Sequence, residues 1–158
     1  GVPSDKKVES GEFVLMDFGA TYDGWHSDMT RTVCVGKPSD KMKSVYETVL
    51  TAQLSALDAV KAGMSGKALD KIARDIITEA GYGDNFGHSL GHGVGVEIHE
   101  SPYASPSRED ILPENSIVTV EPGIYLEGKF GVRIEDFVVV TENGCINMTK
   151  APKELICL

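Results

Sequence analysis

The chain of 158 residues fits one domain of ordinary size, and its apolar content of 41% is enough to build a core. Its net charge of −9, from 15 basic and 24 acidic residues, argues against a surface for nucleic acid or for an anionic membrane. No apolar run is long enough to span a membrane. The three cysteines are odd in number and include no Cys-x-x-Cys pair, which argues against a disulfide framework and a structural zinc site. It favours a reducing compartment, so we expect the cytoplasm.

The first predicted element is a hairpin over residues 11–35. Residues 13–18 are strand-like, Asp23-Gly24 is a strong two-residue turn signal, and residues 29–35 form a β-branched return strand. Two amphipathic helices should follow. Ser39 is a plausible N-cap for the first helix and Gly63 can end it, while the second should run from near Ser65 to Gly81.

The second half of the chain reads as strands and loops. A histidine-rich loop comes first, followed by an irregular stretch over residues 102–113. Strands are predicted over 117–120 and 131–141, then a turn over 142–144, and a short strand near Leu155. This balance of elements predicts an α+β fold.

The first hairpin brings two carboxylates together. If Asp23 and Gly24 are the loop residues, Tyr22 pairs with Trp25, and Asp17 pairs with Thr30. Asp28 then points to the same face as Asp17, with Cα atoms about 7–8 Å apart. Such a pair repels unless a cation lies between the carboxylates. The alternative is a solvent-facing acidic face, because the neighbouring Met16 and Phe18 would then occupy the buried face.

A second carboxylate pair depends on a register that the sequence leaves open. A three-residue loop over residues 127–129 would place Glu121 opposite Glu135, whereas a two-residue loop would put them on opposite faces. Pro122-Gly123 could also add a bulge. Both glutamates lie within strand-like apolar runs, where a charge is costly unless it is paired or bound to a metal.

Three of the four histidines lie within residues 88–100, interleaved with glycines. They are His88, His92 and His99. A neutral imidazole is a good ligand for divalent transition metals, and four carboxylates with one imidazole would be neutralised by two such ions. Two bridged ions about 3.5–4 Å apart make a hydrolytic site, and the glycines would let the backbone approach the metals and the substrate closely.

These residues belong to a set of strings that, in this order, resemble the pita-bread metallopeptidases, and in particular their proline-specific branch, the Xaa-Pro dipeptidases and Xaa-Pro aminopeptidases. The strings are Asp17-Phe18-Gly19, Asp28-x-Thr30-Arg31-Thr32, Gly91-His92-Gly93-x-Gly95, His99-Glu100, Glu121-Pro122-Gly123-Ile124-Tyr125 and Arg133-Ile134-Glu135-Asp136. The resemblance covers essentially the whole chain and implies an α+β pita-bread fold.

The resemblance also implies roles for the matching residues. Two divalent ions, Mn²⁺ by expectation with Co²⁺ or Zn²⁺ as substitutes, would be held by Asp17, Asp28, His92, Glu121 and Glu135, with Asp28 and Glu135 bridging. Glu121 would also be the general base for a metal-bridging hydroxide that attacks the Xaa-Pro bond. His99 would serve the substrate carbonyl, His88 would line the proline pocket, and Arg133 would hold a ligand carboxylate in place.

Members of this family carry more chain ahead of these motifs. The resemblance therefore implies that residues 1–158 are the C-terminal portion of a pita-bread catalytic domain, truncated at its N-terminal side. It further implies proline-containing peptides as substrates, no nucleic-acid or membrane partner, and a homodimer in the full-length protein. It leaves open whether the enzyme is a dipeptidase or an aminopeptidase.

Three alternatives remain beside this hypothesis. The chain could be an inactive fragment, or a non-catalytic pita-bread binding module such as a histone chaperone. It could also be a metal-independent, creatinase-like enzyme. The five intact ligands argue against the binding module, because such relatives have lost the site. The retained Asp17, Asp28 and Glu121 argue against the creatinase-like enzyme.

Overall fold

Two antiparallel hairpins and two helices surround a five-stranded sheet in the computed structural model, which describes residues 5–158. The first hairpin pairs β1 (Glu12–Phe18) with β4 (Met29–Val35). The short strands β2 (Thr21–Tyr22) and β3 (Trp25–His26) extend it beyond a break. Asp17 is paired with Thr30 and Tyr22 with Trp25, so the register predicted from the Asp23-Gly24 turn is confirmed.

The two helices form as predicted. Helix α1 (Asp40–Ala59) begins at Ser39, whose hydroxyl accepts a hydrogen bond of 3.2 Å from the Met42 amide. Helix α2 (Gly66–Glu79) begins at Ser65, whose hydroxyl accepts from the Ala68 amide in the same way. Gly63 and Gly81, each with a positive φ, follow the two helices.

The five-stranded sheet is antiparallel throughout, in the order β11-β10-β7-β5-β6. Its strands are β5 (Gly91–Gly93), β6 (Glu100–Ala104), β7 (Ile117–Val120), β10 (Asp136–Thr141) and β11 (Gly144–Asn147). A separate hairpin joins β8 (Gly123–Leu126) to β9 (Phe130–Arg133), and a 3-10 turn spans Gly83–Asn85. One apolar core lies between the sheet and the buried faces of both helices.

Four sequence predictions differ from the structure. The strand predicted over 131–141 is two strands, β9 and β10, which belong to different sheets and part at Ile134 and Glu135. The stretch from residue 102 begins within β6 and is not irregular there. Strand β11 was missed, and the strand expected near Leu155 is only an isolated bridge between Cys157 and Cys34.

The β1 side chains also differ from expectation. Met16 and Phe18 are 37% and 55% exposed, so their face of β1 is not the buried one. Asp28, on the opposite side, is only 9% exposed. The alternative of a solvent-facing acidic face therefore does not hold for Asp28. Among the described residues 5–158, no helix is both long and apolar enough to cross a membrane.

Candidate metal centre and active site

Three titratable side chains from distant parts of the chain meet in one buried cluster. Asp28 immediately precedes β4, His92 is the middle residue of β5, and Glu135 lies between β9 and β10. One ligand atom from each lies within 4.8 Å of the others, and none of the three residues is more than 9% exposed. The bridge between Thr30 and Glu135 joins the first hairpin to the sheet and so brings the cluster together.

Glu121 completes this cluster from the junction of β7 and β8. Residues 127–129 form a three-residue loop between β8 and β9, and β7 pairs with β10 so that Val120 lies opposite Asp136. Glu121 and Glu135 therefore occupy opposed positions where the two pairings meet. The register that the sequence left open is thus the one that brings the two glutamates together.

The imidazole of His92 is held with one nitrogen facing the carboxylates. Its Nδ1–H donates to the Gly93 carbonyl at 2.9 Å, so Nε2 is the atom that faces the cluster. Nε2 lies 3.1 Å from Glu121 Oε1 and 3.8 Å from Asp28 Oδ2. Burial lowers the pKa of His92, but hydrogen bonding to Glu121 and to the Gly93 carbonyl outweighs it, and the net pKa is raised.

The carboxylate of Glu121 is oriented by its neighbours. Thr119 Oγ1 donates to Glu121 Oε1 at 3.0 Å and accepts from the His92 amide at 3.0 Å. Burial opposes ionisation of Glu121, yet the hydrogen bond and charge of His92, together with the hydrogen bond from Thr119, outweigh that cost and lower the pKa of the carboxyl. Glu121 is therefore a carboxylate at neutral pH, in the form that can accept a proton.

Glu135 is the most deeply buried acid of the cluster. Thr30 Oγ1 donates to its Oε2 at 2.5 Å, while Oε1 is buried without a hydrogen-bond partner among residues 5–158. Burial, together with the charges of Glu121 and Asp28, raises the pKa of Glu135 to about 8. A buried carboxylate oxygen without a partner lowers stability, and a divalent cation bound by Oε1 would supply the missing partner.

Asp17 lies outside the compact cluster, with its carboxylate bound by Arg133 Nη2. Arg133 Nε also donates to Thr30 Oγ1 at 3.0 Å, and Nη1 donates to Tyr125 Oη at 3.0 Å. The guanidinium thus connects one predicted ligand to the threonine that holds another. These contacts are the ones a positioning role for Arg133 requires.

An open cleft of about 340 Å³ adjoins the cluster. Its lining residues include His88, His92, His99, Glu121 and Arg133. His99 packs edge-on against His92, with ring centroids 4.3 Å apart, and so places its own ring beside the carboxylates. The cleft therefore brings three of the five predicted ligands, Asp17, His92 and Glu121, together with the predicted substrate residues His88 and His99.

His88 stands at the far side of this cleft. Its Nδ1–H donates to the Ser89 carbonyl at 2.8 Å, so Nε2, without a proton in the neutral ring, accepts from Tyr125 Oη at 2.9 Å. Burial lowers the pKa of His88, so the ring is neutral at neutral pH.

Sequence reasoning missed three residues that orient the site. Thr30, Thr119 and Tyr125 each bond to a predicted functional side chain. Thr30 and Thr119 lie two positions from Asp28 and Glu121 and hence on the same side of an extended chain, which is the signal that could have found them. Tyr125 carried no comparable spacing signal.

Two glycines around His92 lie where neighbouring strands approach closely. A Cβ on Gly91 would lie 2.0 Å from the Thr119 carbonyl oxygen, and one on Gly93 would lie 2.6 Å from the Ser101 carbonyl oxygen. Any side chain at these positions would clash with the adjacent backbone. The tight packing fixes His92 on a strand instead of a flexible loop.

The donor set fits divalent cations. Carboxylate oxygens predominate, with one imidazole, a combination suited to Mn²⁺ and also accepted by Co²⁺ or Zn²⁺. The sequence model of the metallopeptidase family M24 matches residues 1–142. The chain belongs to metallopeptidase family M24. This family is metal-dependent, in agreement with the buried acidic cluster.

Individual proteins also match this chain over essentially its whole length. An Xaa-Pro dipeptidase from Pyrococcus furiosus is 54% identical over 99% of this chain and 45% of its own length. The structure of an Xaa-Pro dipeptidase from Bacillus anthracis matches with a TM-score of 0.98 at 54% identity, over 100% of this chain and 44% of that one. An X-Pro aminopeptidase from Thermotoga maritima matches with a TM-score of 0.96 at 53% identity, over 100% and 44%.

These matches confirm the expected α+β pita-bread fold and the resemblance to the proline-specific branch. The chain spans about 45% of the length of the relatives that it matches. The activity and substrates of those longer proteins are accordingly considered for this chain only as a proposal.

Proposed function

We propose that this chain carries the metal centre and catalytic side chains of an exopeptidase that hydrolyses the Xaa-Pro bond of dipeptides or of peptide N-termini. The observation that supports it most strongly is the convergence of Asp28, His92 and Glu135, where one buried oxygen of Glu135 has no hydrogen-bond partner in the part of the chain that the structure describes. The names of the relatives, which include both an Xaa-Pro dipeptidase and an X-Pro aminopeptidase, support the substrate class.

Two divalent metal ions, with Mn²⁺ as the first candidate, would be held by Asp17, Asp28, His92, Glu121 and Glu135. When bound, such ions polarise the scissile carbonyl and lower the pKa of the attacking water. The chain contributes the shape of the site. Thr30 fixes the Glu135 carboxylate, and the Gly93 carbonyl fixes the tautomer of His92 so that Nε2 faces the acids.

Glu121 acts as the general base in this proposal. Its carboxylate lies at the wall of the cleft, and its pKa is lowered, so it is ready to accept the proton of the attacking water. Thr119 holds Oε1, which leaves the orientation of the group fixed while the proton moves. Glu121 can then deliver that proton to the leaving proline nitrogen.

The two cleft histidines serve the substrate. His99, on the cleft wall beside His92, is placed to donate to the substrate carbonyl as negative charge develops on its oxygen. His88 is a neutral ring in contact with Tyr125, and it lines the side of the cleft that would receive the proline ring. The nitrogen of an Xaa-Pro bond carries no hydrogen and cannot donate a hydrogen bond. Recognition must therefore rest on packing of the proline ring against the cleft and on contacts to the scissile carbonyl.

Hydrolysis of an Xaa-Pro dipeptide by the full-length enzyme, followed with Mn²⁺ present, tests this proposal. Asp28→Ala should abolish both metal loading and turnover, whereas Asp75→Ala, on an exposed face of α2, should leave both unchanged. Retained turnover in the Asp28→Ala enzyme would overturn the assignment. Peptide binding without turnover in the Mn²⁺-loaded wild type would favour a binding module instead.

A further inference from the structure

Two of the three cysteines lie directly opposite each other, far from the cleft. Cys34, in β4, forms an isolated parallel bridge with Cys157. The Cys34 amide donates to the Ile156 carbonyl at 2.9 Å, and the Leu158 amide donates to the Cys34 carbonyl at 2.9 Å. Paired residues of a parallel bridge project to the same face, so both thiols point the same way.

This pairing meets the backbone requirement for a disulfide. Neighbouring strands lie about 4.8 Å apart. Disulfides join Cα atoms separated by about 4.4–6.8 Å. Because directly paired residues of adjacent strands have this spacing, the bridge places both Cα atoms within the range of a disulfide.

The two thiols differ in access. Cys34 is fully buried and Cys157 is exposed. Burial, and next the adjacent Cys157, raise the pKa of the Cys34 thiol. The third cysteine, Cys145, lies in β11 with its thiol directed at the Leu57 carbonyl at 3.5 Å.

We propose that Cys34 and Cys157 are a redox modification site that closes to an intramolecular disulfide when the chain meets a low-molecular-weight disulfide. The exposed Cys157 thiolate attacks one sulfur of that oxidant, forms a mixed disulfide and releases one small thiol. The Cys34 thiolate then attacks the Cys157 sulfur and releases the second small thiol. Two protein thiols are oxidised to one disulfide, and one small disulfide is reduced to two thiols.

The bond would fasten the C-terminal tail behind the metal centre. The tail carbonyls of Ala151 and Pro152 each accept a hydrogen bond of 2.9 Å from Arg31, which neighbours Thr30 in β4. Lys153 in the same tail contacts the buried Asp136 at 2.6 Å. Since the bond would close a loop that contains most of the chain, it should restrict the unfolded state strongly.

Oxidised glutathione is the probe for this proposal. The folded chain is incubated with it, alkylated, digested without reduction and analysed by mass spectrometry. The expected product is a Cys34–Cys157 cross-linked peptide with Cys145 alkylated, and the thermal midpoint of the oxidised chain should rise by about 5 °C or more. The control variant Cys145→Ser should behave like the wild type.

Two further variants test the pairing, one at the buried Cys34 and one at the exposed Cys157. The second remains informative if a substitution of Cys34 prevents folding. Cys34→Ala should stop at a glutathione adduct on Cys157, and Cys157→Ser, an exposed substitution, should yield no cross-link and no rise in the midpoint. A wild-type chain that accumulates the Cys157 adduct, forms a dimer through Cys157, or pairs Cys145 equally often would overturn the proposal. This inference does not depend on the proposed peptidase activity.

Discussion

Thr30 and Glu135 are joined by two hydrogen bonds although 105 positions separate them in the chain. The Glu135 amide donates to the Thr30 carbonyl at 3.1 Å, and the Thr30 hydroxyl donates to Glu135 Oε2 at 2.5 Å. The first bond ties the hairpin that carries Asp28 to the sheet. The second fixes the direction of the glutamate, which makes this contact the structural link between fold and metal centre.

Replacing the Thr30 hydroxyl should weaken metal binding although none of the predicted metal ligands is changed. Thr30→Val keeps the shape of the side chain but removes its bond to Glu135, and we expect Mn²⁺ affinity to fall by about 10- to 100-fold. Isothermal titration of the chain with Mn²⁺ measures this. Thr48→Val, on the exposed face of α1, is the matched control, and equal affinities for the two variants would contradict the role of Thr30.

The raised pKa of Glu135 predicts an unusual pH dependence for the metal-free chain. The folded state holds this proton more tightly than the unfolded state, so the free energy of unfolding should fall as pH rises from about 4.5 toward 8. Below pH 4.5 the glutamate is protonated in both the folded and the unfolded state and does not lower the free energy of unfolding. Above about pH 8 the full decrease in the free energy of unfolding is present.

Glu135→Gln should therefore stabilise the chelator-treated chain at pH 9 by on the order of a few kcal/mol and leave it nearly unchanged at pH 4. Urea unfolding at both pH values measures the difference. Glu142→Gln, at an exposed position, provides the control. The same stabilisation at pH 4 and pH 9 would show that ionisation of Glu135 is not its cause.

The buried ion pair between Arg31 and Asp136 should contribute more to the free energy of unfolding than an exposed ion pair does. Arg31 Nη2 contacts the fully buried Asp136 at 2.7 Å. Arg31→Met would leave that carboxylate less well paired and should lower the free energy of unfolding by about 3–5 kcal/mol. Lys71→Met, which breaks the exposed pair with Asp75, should cost about 1 kcal/mol or less in the same urea experiment.

Part of this architecture could be read from the sequence because it is local. The Asp23-Gly24 turn fixes the register that pairs Asp17 with Thr30. The serine caps and the glycines that follow them delimit both helices. Short-range chemistry determines these features, so one sequence is enough to predict them.

The remaining features depend on contacts between distant segments. Strand β5 was hidden because glycine has little strand propensity, and it exists only because β6 and β7 pair with it. The break between β9 and β10 lies within a continuous strand-like run, so nothing local reveals it. The meeting of the two acidic hairpins was inferred from the charge balance of a two-metal site and from a resemblance. Their contact through Thr30 and Glu135 was not predicted, since no spacing rule brings the two residues together.

The close approach at β5 gives a further prediction. A methyl group on Gly91 would meet the Thr119 backbone oxygen at 2.0 Å, so Gly91→Ala should displace β5 with its His92. We expect a loss of about 3 kcal/mol in the free energy of unfolding and weaker Mn²⁺ binding. Gly144→Ala, where added carbon meets no atom within 4 Å, is the control for a urea titration, and equal stability of both variants would contradict this packing.

Counting the bound metal shows whether the ligands that meet around Glu135 hold two ions. The 158-residue chain is loaded with Mn²⁺ at neutral pH, freed of excess ions and measured by elemental analysis, with Glu135→Ala as the comparison. We expect about two ions per wild-type chain and a marked loss in the variant. A value near zero for a wild-type chain that is folded by circular dichroism would contradict this expectation.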